Sequence, residues 1–232
     1  MPYRFNYDII EKSQSHGQIL SDIFRLRYQV YVVEWGFEAS HQHPEGLEYD
    51  DFDNHSLHIY ARNVDEGQVI GTVRMIFNSS LGFPIERHFD INLPAGIDRD
   101  NVAEISRLAI SKEFRRRAID EKIFGLARSA PNQIPRFLEN GDDFRRHCEH
   151  QLVRGMYINI YRHGRLRGLT HFTAVMARGL YIILKRWGIN FIQLGPEQDY
   201  HGIRAPYLVS LDSIAHSWER MDPNLYRDAH SS

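Results

Sequence analysis

A single cysteine, Cys148, among 232 residues excludes any intrachain disulfide, and nothing in the sequence around it activates a thiol. No stretch of about eighteen consecutive apolar residues is present, so no membrane-spanning helix is expected. The opening Met1–Asn6 lacks the apolar stretch of a secretory signal, and a cytoplasmic protein is expected. Internal repeats and low-complexity tracts are absent too. A net charge of −2, with arginine runs that carry no interleaved stacking aromatics, argues against nucleic-acid binding. What remains is ordinary globular material, 42% hydrophobic and 25% charged, enough to bury one sizeable core. One domain over residues 1–232 is expected.

The near-neutral total hides an asymmetry. Residues 1–113 carry 10 basic and 18 acidic side chains, whereas residues 114–232 carry 18 basic and 12 acidic. Most of the later excess is arginine, including Arg115, Arg116, Arg117, Arg145, Arg146, Arg154, Arg162, Arg165 and Arg167. Guanidinium suits phosphate and carboxylate better than ammonium does, so an acidic or phosphorylated partner fits. A solvated basic face is the alternative.

Ile19, Ile23, Leu26 and Val30 recur at helical spacing and predict an amphipathic helix over 17–31, with Arg27 and Tyr31 flanking its apolar stripe. Residues 38–56 read as a loop, and long ordered loops in compact domains are usually functional. Strands are predicted over 57–62 and 69–77, joined by the turn-forming Asn63–Gly67. Both faces of the second strand are apolar apart from Thr72 and Arg74, which marks a central strand carrying an inserted arginine. Residues 78–101 form a connection, and 102–110 read as another buried strand. In a regular strand Glu104 and Arg107 would face opposite ways; a bulge or splay between them brings both to one site. Helix is predicted over 118–129, an excursion over 129–154, a helix around 151–161, then strand 170–176, helix 180–187 and strand 190–194. Strands alternating with helices indicate an α/β sheet of mixed direction.

The first half therefore sets Arg27, Asp50, Asp53, Arg74, Glu104 and Arg107 inside or beside apolar segments. Charges there are costly unless they meet each other or a polar substrate, so a shared internal site is expected. Thirteen histidines invite a metal, but His41 and His43 beside Glu45 fit no compact zinc spacing, and no metal is expected.

The ordered motifs R-x-x-V-[FY] at Arg27–Tyr31, aromatics at Trp35–Phe37, D-x-x-D at Asp50–Asp53, G-x-V-R at Gly71–Arg74 and E-x-S-R at Glu104–Arg107 resemble the acyl-homoserine-lactone synthases. The chain resembles still more closely the acyltransferases associated with PEP-CTERM/exosortase systems, relatives of the N-acyl amino acid synthases. That likeness rests on Arg25–Tyr31, Gly36–Glu38, Gly46–Glu48, Glu104–Lys112, Phe114–Arg117, Leu194–Pro196 and Tyr200–Arg204.

The resemblance implies a GNAT-like fold, a mixed central sheet flanked by helices, and transfer of an acyl group from a thioester to an amine. Charge chemistry agrees: an amine arrives mostly as ammonium, so the site must hold a cation and accept its proton. Glu104 is the candidate base, acting with Arg107. Asp50 and Asp53 are candidates for fixing the ammonium or organising the arginines. Arg27, Arg74 and Arg107 suit the carboxylate of an amino acid, or are instead spent neutralising Asp50, Asp53 and Glu104. Tyr31, Trp35 and Phe37 are further substrate-binding candidates. On the donor side, backbone N–H groups near Ser106 and Leu108 would stabilise the oxyanion, and Arg115, Arg116 and Arg117 would meet phosphate. Typical GNAT enzymes cradle coenzyme A pyrophosphate with a glycine loop, yet residues 111–119 contain no glycine. That departure favours an acyl group on the phosphopantetheine of acyl carrier protein, with acyl-CoA the other co-substrate and no tightly bound cofactor. Phe172, Ala174, Val175, Met176, Leu180, Ile183 and Ile192 are available for an acyl tunnel. Two rivals stand: a lactone synthase consuming S-adenosylmethionine, and a non-catalytic module that binds acyl chains or their carrier.

Overall fold

Apolar residues on both faces of neighbouring segments build one twisted sheet. The computed structural model describes residues 5–11, 17–114 and 142–230. Strands β1 (Phe5–Glu11), β2 (Ser56–Asn63), β3 (Val69–Phe77), β4 (Val102–Ile110), β5 (His171–Met176), β6 (Ile192–Gln193), β7 (Gln198–Asp199) and β8 (Ile203–Ser210) follow in chain order. The sheet runs β1-β2-β3-β4-β5-β8-β6, with β7 paired to β8. Among the described residues only β4 and β5 run parallel; every other pair is antiparallel.

Side chains alternate across the sheet, so each face needs a cover. Helix α1 (Gly17–Tyr28) supplies Leu20, Ile23 and Phe24 to one face, packed with Ile10, Tyr60 and Val69. Short α2 (Ile85–His88) sits farther along, with Phe52, Ile76 and Phe89. On the other face α3 (Asp142–Leu166) lays Leu152, Met156 and Ile160 against Leu57, Ile59 and Met75. Close approach there depends on glycine: a Cβ at Gly155 would lie 2.1 Å from the Tyr7 hydroxyl oxygen, and one at Gly71 2.1 Å from Met156 Cε. Helices α4 (Arg178–Arg186), α5 (Leu211–Met221) and α6 (Pro223–His230) complete the chain.

The hairpin at 57–77, the strand at 102–110 and the helices near 17 and 180 lie where the sequence places them. Helix α3 begins at Asp142, inside the stretch read as an excursion over 129–154, because helix propensity persisted where apolar periodicity was weak. The helix predicted over 118–129 and residues 129–141 lie outside the described residues.

Two irregularities in the sheet create the site. Strand β4 pairs with β5 only as far as Ile105 and Ala174, after which β5 follows β8 and the two strands part. On the other edge of β4, Arg74 pairs with Ser106 but Thr72 with Ala109, so β4 carries an extra residue. Arg107 absorbs it with a left-handed φ of 52°. That conformation is uncommon for a residue with a Cβ and costs roughly 1 kcal/mol or more.

Candidate active site

Glu104 and Ser106 point to one face of β4 by alternation, and the bulge turns Arg107 to the same side. Together with Arg74 they line a cavity of about 310 Å³ whose wall also includes Tyr31, Glu38, Asp50, Phe52, Arg87, His88, Tyr200, His201 and Arg204. A second cavity of about 70 Å³ opens in the gap between β4 and β5, lined by Ile105, Leu108, Tyr157, Ala174, Met176 and Leu180. Tyr31, Ile105, Ser106, Arg107, Val175 and Arg204 border both spaces. One opening is polar and the other lies along parted strand edges, so two different substrates can meet at the bulge.

Beneath the first cavity three arginines interlock with four carboxylates. Arg27 donates from Nε to Glu48 at 2.6 Å and from both Nη atoms to Asp53 at 2.7 and 3.2 Å. Arg74 donates from Nη1 to Asp50 at 2.6 Å and Asp53 at 2.8 Å, and from Nε to Ser106 Oγ at 3.1 Å. Arg107 donates to Glu48 at 3.1 Å and Glu38 at 2.8 Å, with Asp50 at 3.7 Å. The 3₁₀ turn Asp51–His55 presents Asp53 through a reciprocal cap in which the Asp50 N–H donates to Asp53 and the Asp50 carboxylate accepts from Phe52 N–H. Though burial disfavours its charge, Glu48 is held down at about 2 by Arg27 and Arg107. Burial likewise works against Asp53, yet Arg27 and Arg74 depress it strongly. His58 lies 3.6 Å from Asp53 and is fully buried; desolvation lowers it to about 3, so it stays neutral beside the lattice.

Glu104 stands outside that lattice. It accepts the Ile85 N–H at 2.9 Å and forms no ion pair among the described residues. Burial pushes its carboxyl up to about 8, against the opposing pull of the Ile85 N–H and Arg74. The expectation that the arginines neutralise Glu104 is therefore corrected: they neutralise Glu38 and Glu48, whose pairing with Arg27 and Arg107 depends on the 38–56 loop folding back.

The other predicted residues divide. Arg74, Asp50, Arg107, Ser106 and Tyr31 reach the cavity wall, whereas Arg27 and Asp53 lie below it with no exposure. Of the two roles expected for Arg27, acceptor carboxylate or neutralisation of buried carboxylates, its pairing with Glu48 and Asp53 fits the second. Trp35 and Phe37 stack with centroids 6.1 Å apart, and Phe37 meets the site through Tyr31 at 6.2 Å, His201 at 4.9 Å and the Arg204 guanidinium at 5.2 Å. Tyr31 donates its hydroxyl to the Leu108 carbonyl at 2.8 Å, bracing the bulge. Of the proposed tunnel, Ala174, Val175, Met176 and Leu180 line the second cavity, Phe172 is core, and Ile192 is 55% exposed. Arg115, Arg116 and Arg117 lie outside the described residues.

Sequence reading missed Arg87 and His88, which stand on a helix too short to leave a periodic signal. It quoted Glu38, Glu48 and Arg204 within motifs but gave them no role. His201, like Arg107, has a positive φ, 53°, that no composition rule flags.

Residues 26–125 match the family model of the acetyltransferase (GNAT) domain. The chain has a GNAT acyltransferase fold. Solved structures share the fold at low sequence identity. The acyl-homoserine-lactone synthase LasI aligns with a TM-score of 0.62 at 16% identity, over 95% of this chain and 96% of its own. The CoA-dependent acyl-homoserine lactone synthase BjaI, solved with SAM and isopentyl-CoA, gives 0.63 at 17% identity, covering 94% and 89%. FeeM, an N-acyl amino acid synthase from uncultured soil microbes, gives 0.55 at 11% identity, covering 93% and 95%. The carboxylate lattice beside the gap between β4 and β5 is built by α1, β3, β4 and the 38–56 loop. Among the described residues no helix is long and apolar enough to cross a membrane.

Proposed function

We propose that this protein is an N-acyltransferase that moves a fatty acyl group from a carrier thioester to the amine of an amino acid or a related small molecule. The observation that carries the reading is Glu104: a buried carboxyl on the wall of the polar cavity, with its proton affinity raised to about 8 and a second cavity opening beside it along the same strand. A base whose conjugate acid titrates near the operating pH is well matched to an ammonium that must lose a proton before attack.

The amine enters the polar cavity and gives its proton to Glu104 directly or through one water. Its nitrogen attacks the thioester carbonyl carbon, the carbon–sulfur bond breaks, and the thiolate leaves with a proton as free thiol while the amide departs. Asp50, held by Arg74, attracts the ammonium. N–H groups of the bulged segment around Ser106 and Leu108 are the proposed oxyanion donors, and Tyr31 fixes that segment through the Leu108 carbonyl. Arg107 holds the bulge open by pairing with Glu38 and Glu48. The acyl chain extends along Ala174, Met176 and Leu180.

Acyl carrier protein is the proposed donor ahead of acyl-CoA, because residues 111–119 lack glycine and the second half of the chain is basic. Arg115, Arg116 and Arg117 are the proposed phosphate contacts, and the reaction is placed in the cytoplasm. Incubating purified protein with acyl carrier and acyl-CoA thioesters plus the individual amino acids, then reading product masses, tests the proposal. N-acyl amino acid is the expected product. Consumption of S-adenosylmethionine with release of methylthioadenosine would replace it with lactone synthesis, and absence of any N-acyl product would leave a binding module.

A further inference from the structure

We infer that Arg87 is the residue that reads the carboxylate of the acceptor, and hence that the acceptor is a free α-amino acid rather than a simple amine. The inference rests on the N-acyltransferase reading and adds to it a specificity residue.

Three of the cations around the polar cavity are already engaged. Arg74 is committed to Asp50, Asp53 and Ser106, Arg107 to Glu38 and Glu48, and Arg204 donates to the His201 carbonyl at 3.2 Å. Arg87 lines the same cavity, is exposed to its solvent, and makes no ion pair among the described residues. Its guanidinium lies 4.4 Å from the centroid of the Phe52 ring, and Phe52 is buried. A planar cation laid on a fixed ring loses little further freedom on binding, and its edge remains able to form two parallel bonds to a carboxylate.

Placement supplies the second half of the argument. Arg87 and Ile85 share one turn of α2, and the Ile85 N–H is the donor that holds Glu104. The proposed base and the free cation are thus tied to the same four-residue helix. An α-amino acid carries its nitrogen and its carboxylate on one carbon, so the pair of groups it presents suits a base and a guanidinium that line one cavity.

The experiment compares each accepted amino acid with its carboxamide, measuring KM and kcat for both in wild type, Arg87→Met and Arg87→Lys. The expected wild-type KM for the carboxamide exceeds that for the free acid by about tenfold to a hundredfold, the range of a charge-assisted pair. Arg87→Met should bring the ratio of the two KM values toward one with kcat for the acid changed much less than KM, and Arg87→Lys should restore part of the ratio. A wild-type enzyme that acylates acid and carboxamide equally, or a ratio untouched by Arg87→Met, overturns the inference while leaving N-acyl transfer standing. If no acceptor is acylated at all, the N-acyltransferase reading fails instead. The same acid and carboxamide probes are then compared by thermal shift, where a Tm rise selective for the free acids and lost in Arg87→Met supports carboxylate reading, and equal or absent shifts refute it.

Discussion

Arg27 and Asp53 meet through two hydrogen bonds, 2.7 and 3.2 Å long, with neither side chain exposed to solvent. Asp53 also takes Arg74, so a single carboxylate joins α1 to the central strand β3. A buried pair of this kind contributes little against an apolar replacement, yet removing one partner strands the other in a medium that cannot solvate it.

Arg74→Ala and Asp53→Asn should therefore each destabilise the fold by about 3 to 5 kcal/mol, since each leaves buried charge unmatched. The double substitution should cost clearly less than the two singles added together, because the second change removes the charge that the first left behind. Urea unfolding of the four proteins measures the coupling. Strict additivity would mean that the two side chains do not share one buried network.

His58 should make one contribution to stability that acid removes. Its ordinary value of 6.5 is lowered to about 3 by burial, so between those values the unfolded chain binds a proton that the folded chain refuses. The His58 contribution is complete above pH 6.5 and declines as pH falls toward 3. Glu48 adds a further loss between its ordinary 4.5 and about 2. The Tm of His58→Leu relative to wild type should therefore rise as pH falls from 6.5 to 4.5. An unaltered slope would place the titration elsewhere.

Glu104 should act in the opposite direction. Its carboxyl is raised from 4.5 to about 8, so as pH climbs through that window the unfolded chain ionises while the folded chain keeps its proton, and stability falls. Glu104→Gln cannot ionise, and its Tm relative to wild type should increase progressively from pH 5 to pH 8. A constant offset across that range would show that the carboxyl is not buried in neutral form.

Val175 borders both cavities at the mouth of the gap between β4 and β5. Val175→Trp should reduce turnover, and most severely for the longest acyl thioesters, while a half-buried position keeps the change in Tm small. Equal rates across acyl lengths would remove the gap from the path of the acyl chain.

Much of the site's frame was legible because a charge inside an apolar strand is conspicuous. Arg74 in Val69–Phe77 and the Glu104–Arg107 pair in Val102–Ile110 announced a central strand and a bulge, and both are present. Strand β1 went unread although Phe5, Tyr7 and Ile9 alternate with polar residues, because seven residues at an edge give a weak period. Residues 205–230 lie outside every motif and so yielded no prediction of β8, α5 or α6. Partnership was the harder question. Nothing in the spacing of Glu38, Glu48, Asp50 and Asp53 tells which carboxylate meets which arginine, since a loop can return along many paths. For that reason both roles stayed open for Arg27 although it is saturated from within, and Arg87, on a four-residue helix, was not considered.

The pH dependence of kcat/KM for N-acyl product formation, compared between wild type and Glu104→Gln at matched acceptor, addresses the proposed base directly. Wild-type activity should rise with pH and level off above about 8, as the Glu104 carboxylate forms, while Glu104→Gln should lose at least two orders of magnitude in turnover and lack that inflection. Near-normal turnover in Glu104→Gln with the same pH profile as wild type would contradict the role given to Glu104 and, with it, the chemistry assigned to this cavity.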